Sequence, residues 1–223
     1  MKIVVVNASH RKDGATAKVL NEFVSQLKKE IVEISIFHLS DLEIAFCKGC
    51  CSCYRIGECI MPDDAEKLSQ AISGANAIII GTPCYVGGVS GQLKTFIDRG
   101  HFIIEQLLKD KHAVGVVTYE NAGGGSAYST LKTLFTFSGA NTIDKLIVKT
   151  AFDSDPIKNN KIKSQIKKKA ARLLNSMQNN KSSLICRITN FFVLNFGIKP
   201  FVLRKGAAYQ GVLNHWRERE ISY

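Results

Sequence analysis

Three times along this chain an apolar run ends in a loop of Gly, Ser, Pro or Thr and gives way at once to helical spacing. Lys2 to Val6 empties into Asn7-Ala8-Ser9-His10-Arg11-Lys12-Asp13-Gly14-Ala15-Thr16. Ala77 to Ile80 empties into Gly81-Thr82-Pro83-Cys84-Tyr85-Val86-Gly87-Gly88-Val89-Ser90-Gly91. Ala113 to Thr118 empties into Tyr119-Glu120-Asn121-Ala122-Gly123-Gly124-Gly125-Ser126. Apolar runs without polar alternation suit strands buried on both faces. Strands that alternate with helices build a parallel sheet covered on both sides, and such sheets bind ligands beyond the carboxyl ends of their strands. The chain is therefore expected to be α/β, with three loops forming one cradle.

The remaining elements follow the same alternation. Leu20, Phe23, Val24 and Leu27 fall at helical spacing after Gly14 or Ala15; Val32, Ile34 and Ile36 alternate as a second strand; Thr142 to Val148 reads as a fifth. Asp63 followed by Glu66 predicts a capping box opening a helix over Ala65 to Ser73. A helix after Gly91 carries Leu93, Phe96 and Ile97, with apolar residues that extend it to Leu108. In the last helix of the domain Ile162, Ile166, Ala170, Leu173 and Met177 share one side, and Lys163, Lys167, Lys168 and Arg172 the other. Two regions are expected: a domain over 1–181 and a helical extension over 182–223.

The 45% hydrophobic and 22% charged content of these 223 residues provides for an ample core. The net charge of +11 favours acidic partners such as phosphates. Much of the lysine lies between Lys158 and Lys181, which reads as a solvated helix face rather than a nucleic-acid patch. Five of the seven cysteines fall within the 13 residues Cys47 to Cys59, which argues against a dispersed disulfide scaffold and for metal or redox use in a reducing compartment. Met1 to Asn7 is too short and too soon broken for a signal peptide, so a cytoplasmic protein is expected. Leu184 to Leu203 is apolar but interrupted by Arg187, Asn190, Asn195, Lys199 and Pro200; it falls short of a transmembrane span. It reads instead as an amphipathic helix packed on the domain or on a second subunit, with membrane-surface attachment as the alternative.

The first loop offers hydroxyls, amides and a guanidinium where a helix begins, as a phosphate group requires. Ser9, Arg11, Gly14, Ala15 and Thr16 are the candidates. There is no G-x-G-x-x-G after the first strand and no G-x-x-x-x-G-K-[ST], so neither a dinucleotide nor a P-loop triphosphate site is supported. The cysteine run Cys47-x2-Cys50-x2-Cys53-x5-Cys59 can wrap an iron–sulfur cubane. A tetrahedral zinc site and a metal-free loop are the other readings, although zinc usually takes two separated halves. Cys84 and Cys186 read as buried small hydrophobes. The five histidines have no metal-ligand spacing, and no Ser/His/Asp or paired-carboxylate constellation stands out, so no catalytic side chain is assigned.

Ser9-x-Arg11-x-x-Gly14-x-Thr16, together with Gly81-Thr82-Pro83-x-Tyr85-x-Gly87-x-Val89-Ser90-Gly91-Gln92-Leu93-Lys94-x-Phe96-Ile97-Asp98-Arg99, resembles the flavodoxin-like NAD(P)H-dependent FMN reductases over roughly residues 1 to 150. The resemblance implies a doubly wound five-stranded parallel sheet in the order 2-1-3-4-5. It implies FMN, with NAD(P)H as co-substrate and the chemistry at flavin N5. Ser9, Arg11 and Thr16, with Gly14 and Ala15, would hold the phosphate. Pro83, Tyr85, Val86 and Gly87 would flank the ring, and Asn121, Gly123 and Gly124 would form its other edge. His10 and Ala15 stand where the family often has Pro and Asn, which implies a weaker hold on FMN.

The cysteine spacing is similar to the compact run of the iron–sulfur flavoproteins, relatives of these reductases. By that resemblance Cys47, Cys50, Cys53 and Cys59 would ligate a [4Fe–4S] cluster and Cys51 would be spare. The implied activity is electron transfer from a reduced nicotinamide through FMN to a quinone, flavin, azo or nitro compound. The alternatives are an iron–sulfur electron carrier with a redox-protein partner, and a non-enzymatic basic binding module. A homodimer or homotetramer is expected, without nucleic acid. For Phe191, Phe192, Phe196 and Trp216 two readings compete: cover for a subunit interface or a neighbour's flavin, and ordinary packing of a terminal helix.

Overall fold

The computed structural model describes residues 1–28, 32–151 and 153–222. Among them is one parallel sheet of β1 (Lys2–Asn7), β2 (Glu33–His38), β3 (Ala77–Pro83), β4 (His112–Tyr119) and β5 (Asn141–Lys149), in the order β2-β1-β3-β4-β5. Successive strand residues point to opposite faces, so the apolar runs feed two cores. Val4, Val6, Ile78, Ile80 and Val117 face one side. There they meet Leu68 and Ile72 of α3 (Asp64–Ser73), Leu93 and Phe96 of α4 (Gly91–Arg99), and Leu131 and Phe135 of α5 (Gly124–Phe137). Ile3, Val5, Ile79, Val114 and Val116 face the other side. They meet Val19, Leu20 and Phe23 of α1 (Ala15–Leu27) and Ile166, Ala170 and Leu173 of α6 (Asn160–Gln178). This is the parallel sheet covered on both faces that the alternation predicts, in the flavodoxin-like strand order that the resemblance implies.

Lys163, Lys167, Lys168 and Arg172 lie exposed along α6, a solvated face as read. Asp63 caps α3 by accepting the Ala65 N–H at 3.1 Å. The reciprocal half of the expected box does not form, because the Asp63 N–H goes to Met61 O and the Glu66 carboxylate accepts from Gln70. The extension of the fourth helix to Leu108 is also corrected. α4 ends at Arg99 with Gly100 as its cap, and the chain turns from there to Asp110, with Phe102, Leu107 and Leu108 buried in the first of the two cores.

The extension contains α7 (Leu184–Phe192), a π-helical segment Val193–Ile198, α8 (Lys199–Lys205) and α9 (Gln210–Glu218). α7 does not lay its apolar side on the domain. Its polar residues reach the sheet side, Asn190 donating to Ala140 O and Cys186 to Thr142 O, while Ile185, Phe191, Phe192 and Phe196 are exposed. No described helix is long and apolar enough to cross a membrane.

Candidate functional site

The three strand-end loops converge. Ser90 ties the first to the second: its Oγ donates to Ala8 O at 2.7 Å and accepts the Leu93 N–H at 3.2 Å, capping α4. Thr16 Oγ1 and Thr118 Oγ1, 2.7 Å apart, tie the first to the third. The Cys84 N–H donates to Thr118 O at 2.8 Å, and a Cβ placed on Gly123 would stand 2.7 Å from the Gly87 Cα. Between these ties lies a cleft of about 220 Å³, lined by Ser9, Arg11, Gly14, Ala15, Thr16, Pro83 and Tyr85 of the expected set.

Gly14 caps α1 without a side-chain hydrogen bond, so the first-turn amides of that helix are left to whatever occupies the cleft. Ser9 holds its loop by accepting the Arg11 N–H on Oγ while its own N–H goes to Asn7 Oδ1. Hydroxyls, amides and a guanidinium at a helix amino end are the donor set for a phosphate ester.

The expected ring-flanking residues divide. Tyr85 and Gly88 exchange two backbone hydrogen bonds across a tight turn whose central residues, Val86 and Gly87, have φ of 51° and 73°. A β-branched residue at positive φ stores roughly 1–3 kcal/mol of backbone strain, a feature that concentrates at functional sites. Val86 is fully exposed at the tip of this turn. Asn121, Gly123 and Gly124 do not line the cleft: Gly123 backs the Gly87 turn, and Gly124 packs against the Tyr119 ring. Cys84, Thr118, Tyr119, Glu120, Thr150 and Ala151 complete the lining. Cys84 packs against one core yet is only half-buried, because it also forms a wall of the cleft, and Cys186 is half-buried too. The sequence signal for the added residues was their position at the ends of β3, β4 and β5.

The cysteine loop lies at the other end of α4, about 13 Å along a helix of this length. A short helix, α2 (Ser52–Ile56), is set within it between left-handed residues Cys51 and Gly57. Cys47, Cys50, Cys51, Cys53 and Cys59 line one small pocket of about 50 Å³ with Arg99 and His101. The sulfurs share that wall without converging: among the described residues no trio of His, Cys, Asp or Glu is gathered closely enough to hold a metal ion. Burial, with the negative charge of Glu105 nearby, pushes the Cys53 thiol up to about 12. Ser52 draws the exposed Cys50 thiol down. The Cys53 thiol therefore resists ionising unless positive charge arrives, which is what a metal centre supplies. By donor chemistry the pocket fits a thiolate-bound metal group.

Beneath the loop, Glu105 is buried between two histidines, 2.6 Å from His101 Nδ1 and 3.6 Å from His215 Nε2. Burial disfavours the His101 imidazolium, yet the hydrogen bond and charge of Glu105 outweigh it and raise the pKa above 6.5. A raised value means the folded chain holds this proton more tightly. The stabilisation is complete below pH 6.5 and disappears as pH rises through the raised value. Thermal unfolding midpoints should fall over that interval in the native chain, and Glu105→Gln should flatten the fall; parallel profiles would contradict the assignment.

The extension closes this region from outside. His215 Nε2 meets Gly57 O at 2.6 Å, Tyr209 stacks on Tyr54, and Trp216, fully buried, donates to Ile104 O at 2.9 Å. α9 crosses α2 so closely that a Cβ on Gly211 would overlap the Gly57 backbone. Of the two readings of Trp216, packing of a terminal helix is the one observed, and what it packs against is the cysteine segment.

Residues 1–154 match the NADPH-dependent FMN reductase family. The chain belongs to that family. The matched region contains the sheet, the cleft and the cysteine loop and stops short of α6, so the extension lies outside it. Over nearly its whole length the chain is similar to an iron-sulfur flavoprotein of Clostridioides difficile strain 630, 35% identical over 99% of this chain and 100% of the relative. An iron-sulfur flavoprotein of Archaeoglobus fulgidus is 35% identical over 55% of this chain and 56% of that protein. Among solved structures, a flavone reductase superposes with a TM-score of 0.66 at 15% identity, over 81% of this chain and 64% of that one. An apo NADH:FMN oxidoreductase superposes with a TM-score of 0.61 at 18% identity, over 83% and 93%. These two share the fold. Membership of the FMN reductase family makes the chain an FMN-dependent oxidoreductase in outline, and the cleft at Ser9, Pro83 and Thr118 occupies the ligand-binding edge of that fold.

Proposed function

We propose that this chain holds FMN in the cleft between the turns at Ser9, Pro83 and Gly123, and a [4Fe–4S] cluster on the thiolates of Cys47, Cys50, Cys53 and Cys59. When bound, FMN supplies two-electron exchange with a reduced nicotinamide, and a cluster supplies one-electron exchange. The protein's part is binding and orientation. Ser9 and Thr16 hydroxyls, the Arg11 guanidinium and the amides from Gly14 to Thr16 hold the phosphate. Tyr85 and Pro83 provide an apolar wall, and the Val86-Gly87 turn, braced by Gly123, forms a rim of backbone amides. Asn121 and Gly124 belong to the loop carrying that brace. Electrons leave to a quinone, flavin, azo or nitro compound, or to a redox protein. The exposed apolar face of α7 and the following π-helical segment supports assembly as a homodimer or homotetramer.

The observation that carries the cluster is that all four cysteines of the spacing line one pocket against a buried arginine. The full-length likeness to a protein named as an iron-sulfur flavoprotein supports it. A second reading, an NAD(P)H-dependent FMN reductase with a metal-free loop, is favoured by the sulfurs not converging.

Anaerobic purification with visible spectra and iron and sulfide analysis separates the two. The cluster predicts flavin bands with a broad bleachable shoulder and about four each of iron and sulfide per chain. Flavin bands alone would support the metal-free loop. Cys51→Ser should keep the iron, whereas serine at Cys47, Cys50, Cys53 or Cys59 should each lose most of it. Equal retention in all five variants would exclude this ligand set.

A further inference from the structure

The cysteine loop is closed at its neck by one side chain that the flavin chemistry does not use. Arg99 ends α4, where a cation suits the helix dipole, and its side chain is only 2% exposed. Its Nη1 donates to Ala45 O at 2.7 Å and to Asp63 Oδ2 at 2.7 Å, and its Nη2 donates to Asp63 Oδ1 at 2.9 Å. Asp63 in turn accepts the Ala45 N–H at 3.0 Å. Ala45 lies just before Cys47 and Asp63 just after Cys59, so this fork binds the two ends of the loop together.

Two of the five guanidinium donors remain, one on Nη2 and the one on Nε. The Nε–H of Arg99 is buried and has no hydrogen-bond partner. Buried donors are almost always satisfied, so an orphan on a guanidinium indicates an acceptor that completes the site. Arg99 lines the cysteine pocket itself. Cys59 lines the same pocket, four residues before the Asp63 that the fork already holds, and its sulfur is the acceptor nearest in the chain to that clamp.

We infer that Arg99 is the positioning residue of the cysteine site: it clamps the loop through Ala45 and Asp63 and donates its Nε–H to the Cys59 sulfur when that sulfur is a metal-bound thiolate. This rests on the iron–sulfur reading above. A donor to a ligand sulfur withdraws electron density and raises the reduction potential, the usual way outer residues tune such centres. Lysine is no substitute, because its point charge cannot make the planar fork and the Nε contact together.

The test uses the full chain purified anaerobically with its flavin. Iron and sulfide are measured first, then the cluster potential by a spectroscopic redox titration of wild type and Arg99→Lys. The reduced wild-type cluster, labelled with ¹⁵N-arginine, is examined by pulsed EPR, a readout that does not depend on whether the variant folds. The inference predicts a more negative potential in Arg99→Lys and an arginine nitrogen coupling in wild type. Wild-type protein with flavin but no iron or sulfide would overturn the iron–sulfur reading, and this inference with it. A cluster present but lacking the arginine coupling, or with the same potential in Arg99→Lys, would overturn this inference alone.

Discussion

Gly123→Ala is expected to weaken FMN binding by at least tenfold, while Gly125→Ala, two residues on, leaves it unchanged. Gly123 has φ of 87°, a conformation costing an alanine roughly 1–2 kcal/mol. The added Cβ would also stand 2.7 Å from the Gly87 Cα and 3.1 Å from the Cys84 sulfur. Both neighbours belong to the Pro83 loop, so relief must come from moving the Val86-Gly87 turn, the rim proposed for the ring. Tenfold corresponds to about 1.4 kcal/mol, less than strain and overlap together. At Gly125 nothing lies within 4 Å and the residue is in the first turn of α5, where alanine is at least as good. Titration of the flavin-free chain by quenching of FMN fluorescence measures both. Dissociation constants within twofold of each other would refute the bracing role of Gly123.

Trp216→Ala should cost about 3–5 kcal/mol, the usual range for emptying a buried tryptophan site. Its effect should appear at the cysteine loop rather than at the cleft. Trp216 lies in a third apolar cluster, made by Ile198, Val202, Val212 and Leu213 with Tyr54 of α2 and Ile104. Its ring is fully buried, and the Ile104 carbonyl would lose its Nε1–H partner. The rest of the cluster is too small to refill the space. α9 should loosen from α2, freeing Gly57 O from His215 and Tyr54 from Tyr209. Urea unfolding gives the size, and limited proteolysis between Cys47 and Cys59 gives the place. A midpoint shift equivalent to less than about 1 kcal/mol, or cleavage elsewhere first, would refute the coupling.

The structural consequences of these two substitutions were unequally legible. The Gly123 loop announced itself by its place after β4, because glycines at the end of a buried strand in an α/β chain mark a ligand edge. The strands, both cores and the start of α1 were legible for the same local reason, since apolar runs and helical spacing are properties of neighbouring residues; the strand order came from the family resemblance. Asp63 as the cap of α3 was legible too, but its grip on Arg99 was not, since that bond crosses from one helix to another.

Periodicity along the extension indicates that a face is apolar without saying what it meets. In the fold Trp216 and Gly211 found the cysteine segment, while the aromatic residues of α7 stayed exposed. Thr118, Thr150 and Cys84 stand at strand ends, which marks their place in the chain but not their neighbours; only closure of the strand ends made them walls of one cleft. From its sequence alone this protein determined a doubly wound sheet, a phosphate-ready first loop and a clustered set of thiols, because each is written in residues within a few positions of one another. The tertiary structure decided that the thiols lie a helix length from the cleft, beneath α9 and locked at the neck by Arg99. Those contacts join residues distant in sequence, and no local spacing records them.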